Sequence, residues 1–159
     1  MSEKKREILF RGKKNPSGEW IEGFLVGNCH IGDWVAATPV HSKTVGQFTG
    51  LYDSTKWEAL TDGEKMDFYK HHYIGEDGMS VRFQDVDDVK HLWKGKKIFE
   101  GDILSENGYL FVVVWNQPWA EFRLQHDGYK YPEWNRGVQM EIVGNIHDNP
   151  ELLKEATDV

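Results

Sequence analysis

The chain has 159 residues, 39% of them hydrophobic, and carries seven Trp, six Tyr and eight Phe. That aromatic weight argues against disorder, and the length suits one folding unit. Nineteen Lys and Arg against twenty-six Asp and Glu leave a net charge of −7, a field that repels phosphates and weighs against nonspecific nucleic-acid binding. The apolar runs are short, as in Tyr109 to Trp115, whereas a membrane span needs about 20 consecutive apolar residues. The lone Cys29 cannot form an internal disulfide, and no signal-peptide pattern opens the chain, so a cytoplasmic setting is expected.

Near the N-terminus Lys4, Lys5, Arg6, Arg11, Lys13 and Lys14 face only Glu3 and Glu7. They suggest a basic edge, but a solvated, frayed terminus beside an outward-facing strand is the preferred reading. Ile8-Leu9-Phe10, the turn-formers Asn15-Pro16-Ser17-Gly18 and the alternating stretch Trp20 to Val26 predict a hairpin. A strand is expected over Asp33 to Thr38, ending at Pro39, and a strand-turn element over Thr44 to Leu51. Thr61-Asp62-Gly63-Glu64 has the form of a capping box, predicting a helix from about Asp62 to His71 with Met66, Phe68, Tyr69 and Tyr73 as its apolar stripe. Val86, Val89 and Trp93, after the N-cap candidate Asp85, predict a second short helix.

After Gly95 the pattern is strand-like. Lys97 to Ser105 and Tyr109 to Trp115 flank Asn107-Gly108, a pair that favours a type I′ hairpin because both central residues need positive φ. Both alternating sets in Tyr109 to Trp115 are apolar, so both faces of that strand are expected to be covered, with Trp115 in the core. Strands are also expected at Ala120 to Gln125 and from Val138 to Ile146, with a turn at His126-Asp127-Gly128. Asn149-Pro150-Glu151 should open a terminal helix, Asn capping and Pro in the first turn.

Residues that could carry chemistry are few. Glu100 and Asp102, two apart on a strand, could form an acid/base pair or a cation site. The intervening Gly101 equally suits a corner in which Asp bonds local backbone, and that structural reading is preferred. His71-His72, His91, His30 with Asp33, and His147-Asp148 are the histidine groupings, none with zinc-site spacing. Adjacent helical residues such as His71 and His72 point about 100° apart. No nucleophile elbow, phosphate loop or dinucleotide fingerprint occurs, and nothing local activates Cys29. Trp115, Trp119, Tyr129, Tyr131 and Trp134 form an aromatic-rich stretch. Within it Trp119 and Trp134, beside Pro118 and Pro132, are candidates for a contact surface.

Four stretches together resemble the YopX family of phage and prophage proteins: Arg6-Glu7-Ile8-Leu9-Phe10-Arg11-Gly12-Lys13, Thr44-Val45-Gly46-Gln47-Phe48-Thr49-Gly50-Leu51, Gly95-Lys96-Lys97-Ile98-Phe99-Glu100-Gly101-Asp102-Ile103, and Glu141-Ile142-Val143-Gly144-Asn145-Ile146-His147-Asp148-Asn149-Pro150-Glu151-Leu152-Leu153. The resemblance implies a β-rich fold with an SH3-like barrel component and a phage or prophage origin; it brings no established activity and no catalytic residues. In the commoner family pattern the Thr-Gly-Leu-x-Asp element runs almost directly into Asn-Gly-Lys and the Glu-Gly-Asp strand, whereas here residues 54–94 intervene.

The expectation is a mainly β, β-rich α+β fold of antiparallel sheets with two or three short helices, forming a single domain over residues 1–159 with a helical insertion at 54–94. No catalytic, cofactor-binding or metal residue is assigned, and no cofactor is expected. The leading function is that of a non-enzymatic accessory protein of the bacterial cytoplasm, acting by protein binding or self-association as a homo-oligomer. One alternative is nucleic-acid binding through an SH3-like barrel, drawing on the N-terminal basic edge, Trp119 and Trp134. Another is a small hydrolase or metal-dependent enzyme, which requires Glu100, Asp102, His147 and Asp148 to meet in space.

Overall fold

A computed structural model describes residues 8–32, 36–73, 85–126, 129–131 and 139–157. The expected first hairpin forms: β1 (Phe10–Lys13) pairs antiparallel with β2 (Trp20–Val26), Lys13 opposite Trp20. β3 (His30–Gly32) and β4 (Ala37–Pro39) extend the sheet beyond β2. The strand expected from Asp33 is described only from Ala37, and its Pro39 sits on an edge strand, where no ladder donor is required. On the other side β5 (Gly46–Tyr52) pairs with β1, and β6 (Lys97–Phe99) pairs with β5. The result is a six-stranded antiparallel sheet in the order β4-β3-β2-β1-β5-β6.

The second sheet is built on the Asn-Gly hairpin. β7 (Asp102–Glu106) turns at Asn107 and Gly108, with φ of 52° and 83°, into β8 (Tyr109–Asn116). Both positive φ values match the type I′ geometry that the residue pair predicts. β9 (Glu121–His126) and β10 (Tyr129–Tyr131) continue beyond β8, and β11 (Glu141–Asn145) pairs with β7, giving the order β10-β9-β8-β7-β11. Residues 127–128 and 138, parts of an expected turn and strand, lie outside the described residues. The fold is thus mostly antiparallel β with short helices, as expected. The described ladders leave both sheets open, without closing a barrel.

The single strand expected from Lys97 to Ser105 is divided between the sheets. Glu100 N donates to Gln47 O of the first sheet at 3.0 Å, and Gly101 N to Val113 O of the second at 2.9 Å. Gly101, at φ 92°, makes the change of direction in a region that side chains disfavour. The core lies just beyond this corner, where Ile98, Leu104, Phe111, Val113, Phe122, Leu124 and Met140 cluster. Phe111 and Val113 are 5% and 1% exposed, whereas the alternate residues Leu110, Val112 and Val114 are half-buried, so one face of β8 is covered fully and the other partly. Trp115, expected in the core, is 40% exposed at the end of β8, its ring edge-on to Phe122.

Between Asp53 and Gly95 a smaller cluster gathers Trp57, Leu60 and Val89 under Phe68, Tyr69, Val86 and Trp93. Its helix α1 (Asp62–Tyr73) begins at the expected capping box: Glu64 N donates to Thr61 Oγ1 and Thr61 N to Glu64 Oε1, each at 3.1 Å. Met66, expected in the apolar stripe, is 39% exposed; Phe68 and Tyr69 do the packing. The second expected helix, Val86–Leu92, is a 3-10 helix rather than α, burying Val89 and held at its start by Asp85 N donating to Asp88 Oδ2. Its three-residue repeat explains why Val86 and Val89 face the cluster together. The terminal helix α2 (Pro150–Thr157) starts where expected, and the Asn149 side-chain oxygen accepts from Asn145 N at 3.2 Å.

One buried carboxylate joins these parts. Asp53 Oδ1 accepts from Thr55 N (3.0 Å) and Lys96 N (2.8 Å), while Oδ2 accepts from Thr55 Oγ1 (2.7 Å) and Ile142 N (2.9 Å). It therefore ties both ends of the 54–94 segment to β11 of the second sheet. Gly95 makes the approach feasible, because a Cβ there would lie 2.2 Å from Asp53 O. Removing a buried acceptor strands its donors at about 1–3 kcal/mol each. Asp53→Ala is accordingly expected to destabilise the protein by about 3 kcal/mol or more in urea unfolding followed by circular dichroism, whereas Thr55→Ala, which removes one donor, should cost about 1 kcal/mol.

Candidate functional site

Alternation along β1 and β2 sets the two faces of the first sheet. Arg11 pairs with Glu22 and Lys13 with Trp20, so all four point to one side, while Phe10 points to the other. On the first side Arg11 Nη2 donates to Asp102 Oδ1 at 2.6 Å, and its guanidinium lies between the rings of Trp20 and Phe99, 4.7 and 4.8 Å from their centroids. Asp102 is 1% exposed and also accepts from Phe99 N at 2.7 Å. Burial pushes its carboxyl up, and Arg11 with the Phe99 amide opposes that rise.

Beside this pair Asp148 accepts from Trp20 Nε1 at 2.6 Å and Asn145 Nδ2 at 3.2 Å and is in contact with the Lys13 ammonium. Burial alone would raise its carboxyl; these donors outweigh it and hold the group at about 2. His147 packs against Trp20, ring centroids 5.9 Å apart, and against Gly101, where a Cβ would stand 3.5 Å from its Nε2. Burial lowers the His147 imidazole, and the positive charges of Arg11 and Lys13 lower it further against the pull of Asp148.

Arg11, Trp20 and Asp148 form one wall of an open cleft of about 1050 Å³. The opposite wall comes from the 54–94 segment and the first residues of the chain beyond it: Phe68 edge-on to Trp93, ring centroids 5.1 Å apart, then Lys94 and Lys96. Its charges are largely paired within the chain, Lys96 with Glu64 at 3.1 Å and Lys97 with Glu22 at 3.6 Å. The cleft is therefore a mixed aromatic and ionic surface in which Arg11, Lys96 and Lys97 have acidic partners and Lys94 lies 5.7 Å from the Tyr52 ring centroid.

The residues proposed for hydrolysis are brought only partly together. Asp102, His147 and Asp148 gather on the Arg11 side of the first sheet, but Glu100 lines a separate groove with Phe10, on the other face. The corner at Gly101 thus turns Glu100 and Asp102 away from each other, which removes the acid/base pair. Asp102 and Asp148 are in turn occupied by donors of the chain. Among the described residues no three His, Cys, Asp or Glu side chains converge as a metal site. His30 Nδ1 lies 3.4 Å from Cys29 Sγ, and His91 is exposed on the 3-10 helix; Asp33 and the side chains of His71 and His72 lie outside the described residues. Trp119 is 72% exposed in the turn between β8 and β9, whereas Trp134 and the side chains of Tyr129 and Tyr131 also lie outside the described residues.

Of the N-terminal basic edge, the described members are all paired: Arg11 with Asp102, Lys13 with Asp148, and Lys14 with Glu19 at 3.6 Å. Neither Arg11 nor Trp20 stands out as a site residue in the sequence. The one available signal was the alternation placing Trp20 and Glu22 on a common face, since Arg11 and Asp102 lie 91 positions apart.

Removing one partner of a buried ion pair costs about 3–5 kcal/mol, while replacing both by apolar groups is often near neutral. Arg11→Met should lose that amount at neutral pH in urea unfolding, and Arg11→Met/Asp102→Leu should recover most of it. In Arg11→Met the unpaired Asp102 binds its proton more tightly folded than unfolded, so that variant should lose stability as pH rises through the folded carboxyl's pKa. Asp148 behaves oppositely. Its folded value of about 2 lies below the ordinary 3.8, so its contribution is present above about pH 4 and lost as pH falls toward 2. Asp148→Asn should lower the melting temperature at pH 6 and converge with the unsubstituted protein near pH 2.

No curated protein matches the chain. A family model described as YopX protein matches residues 93–154, the segment that holds β6 to β11, the Gly101 corner, Asp102, His147 and Asp148. The two N-terminal stretches of the resemblance lie before that match. None of the described helices is long and apolar enough to cross a membrane. Over residues 93–154 the chain is thus similar to the YopX protein family.

Proposed function

We propose that this protein is a non-enzymatic phage or prophage accessory protein of the host cytoplasm that works by binding another protein, with the cleft between the first sheet and the 54–94 segment as its docking surface. The observation that carries this reading is the cleft's composition. Aromatic walls supply apolar contact area, and side chains pre-paired at the rim supply directional polar contacts, the combination that protein interfaces concentrate. Nucleic-acid binding is the weaker reading, because the net charge is −7 and Arg11, Lys13, Lys14, Lys96 and Lys97 each carry an internal acidic partner.

The chain is read as one domain in which residues 54–94 are an insertion that supplies the cleft's second wall. Two observations support this: Asp53 fastens that segment at both ends, and the family match begins only at residue 93. A second copy of the chain is one partner the cleft could receive, and sedimentation at increasing concentration would reveal it.

Leu92 and Lys94 lie exposed on the cleft wall, so they can be changed without opening a core. Tagged protein recovered from phage-infected cells is expected to bring down a defined partner by mass spectrometry. Leu92→Ser/Lys94→Glu should reduce that recovery at least tenfold while leaving the melting temperature unchanged. Equal recovery by the folded variant, or turnover of a substrate by the purified protein, would overturn the reading.

A further inference from the structure

On the far side of the Gly101 corner, the seam between the two sheets opens into a groove of about 260 Å³. Phe10 of β1 and Gln47 of β5 form one bank, Trp115 of β8 and Phe122 of β9 the other, and Glu100 lies between them. The groove's shape is held by backbone. Glu100 N donates to Gln47 O at 3.0 Å, and a Cβ on Gly46 would lie 2.6 Å from Glu100 O. Trp115 and Phe122 are cross-strand partners with ring centroids 5.0 Å apart and near-perpendicular planes, and the Trp115 indole N–H is occupied by Gln117 Oε1 at 2.9 Å. The polar edge of Trp115 is therefore already engaged, while the residue stays 40% exposed.

Glu100 differs from the other buried or partly buried carboxylates near the sheet seam. Asp102 has Arg11, Asp148 has Lys13, and Asp53 has four donors. Among the described residues Glu100 has a backbone hydrogen bond from Gln47 and no cationic partner, and burial pushes its carboxyl up. A half-buried carboxylate without a cation carries a desolvation cost that an incoming positive group would relieve. Aromatic faces beside it add cation–π attraction. A planar guanidinium suits such a site better than an ammonium, since it can lie along a ring while its N–H fork meets a carboxylate. A chain of net charge −7 also favours a basic counterpart.

We infer that this groove is a recognition pocket for an arginine side chain of a partner polypeptide, with Glu100 as the counter-charge and Trp115 as the stacking surface. The inference gives chemistry to the protein-binding reading above and rests on it for the partner, yet the two fail separately: the pocket can be tested with a small probe when no partner is in hand, and the pull-down tests the cleft alone.

The probe is N-acetyl-arginine methylamide, titrated into the isotope-labelled chain and followed by amide and indole nitrogen–proton spectra. Its citrulline analogue, equal in shape and uncharged, is the control. Saturable shifts at the Trp115 indole and the Gln47 amide are expected with the arginine probe and not with the citrulline analogue. Glu100→Gln should weaken that binding at least fivefold, and Trp115→Ala should weaken it at least threefold. Because burial raises the Glu100 carboxyl, its ionised form destabilises the fold as pH rises through its folded pKa. Glu100→Gln should therefore melt higher than the unsubstituted protein near pH 7 and no higher near pH 4, which shows that the variant is folded when binding falls. Equal shifts from both probes, unchanged binding by folded Glu100→Gln, or shifts confined to other residues would overturn the pocket. So would movement of the Trp115 signal without probe in Lys4→Ala/Lys5→Ala/Arg6→Ala, since that would make the chain's own N-terminal cations the occupant.

Discussion

The carboxylate of Asp53 must find partners because it is buried, and the partners it finds hold the protein together. Its four hydrogen bonds run to Thr55, Lys96 and Ile142, so the start of the 54–94 segment, its end and the second sheet meet at one side chain. Asp53 N donates to Lys96 O and Ser54 N to Met140 O, which adds backbone bonds to the same junction. A segment fastened at both ends can place Phe68 and Trp93 opposite Trp20 across a cleft, whereas a loop anchored at one end would lose far more conformational entropy to hold the same geometry. The second wall of the cleft therefore depends on this one group.

The corner at Glu100 and Gly101 plays the corresponding part between the sheets. Its two backbone amides are shared, one with each sheet, and it sends Glu100 and Asp102 to opposite faces. On the Asp102 face the carboxylates are satisfied from within, and the arrangement is structural: Arg11 lies between two rings, its Nε buried without a hydrogen-bond partner, and neutralises a carboxylate that would otherwise be costly to bury. On the Glu100 face the charge is left open beside exposed aromatic surface. Two acidic residues separated by one glycine thus take different roles because their surroundings differ, one closing the fold and the other lining a groove with no cation beside it among the described residues.

The parts legible in the sequence are those whose cause lies within a few residues. Asn107-Gly108 specifies a turn because both positions need positive φ, and Thr61 with Glu64 specifies a helix start because each satisfies the other's backbone donor. Alternation located β2 and β9, and an unbroken apolar run beside Asn107-Gly108 located β8. Local patterns misled where the environment outside the segment decided the outcome. Trp115 obeys the register of β8 but lies near the strand's end and stays 40% exposed, and Met66 obeys a helical stripe yet stays 39% exposed. The run from Lys97 to Ser105 reads as one strand, and only the two sheets competing for its backbone show why it breaks.

From its residues alone this chain was bound to be an aromatic-rich, mainly antiparallel protein with a tight hairpin near residue 107, a capped helix near residue 62 and a resemblance to the YopX family, because turn chemistry, capping and periodicity act over one to four residues. What the sequence left open was which charges meet. Arg11 and Asp102 are 91 positions apart, and Asp53 and Ile142 are 89. Such pairs carry no local signature, because they form only when two sheets and an intervening segment pack and a buried charge must be matched by whatever donor the fold brings beside it. Tertiary structure decided, for the same reason, that Asp102 would be closed off and Glu100 left open.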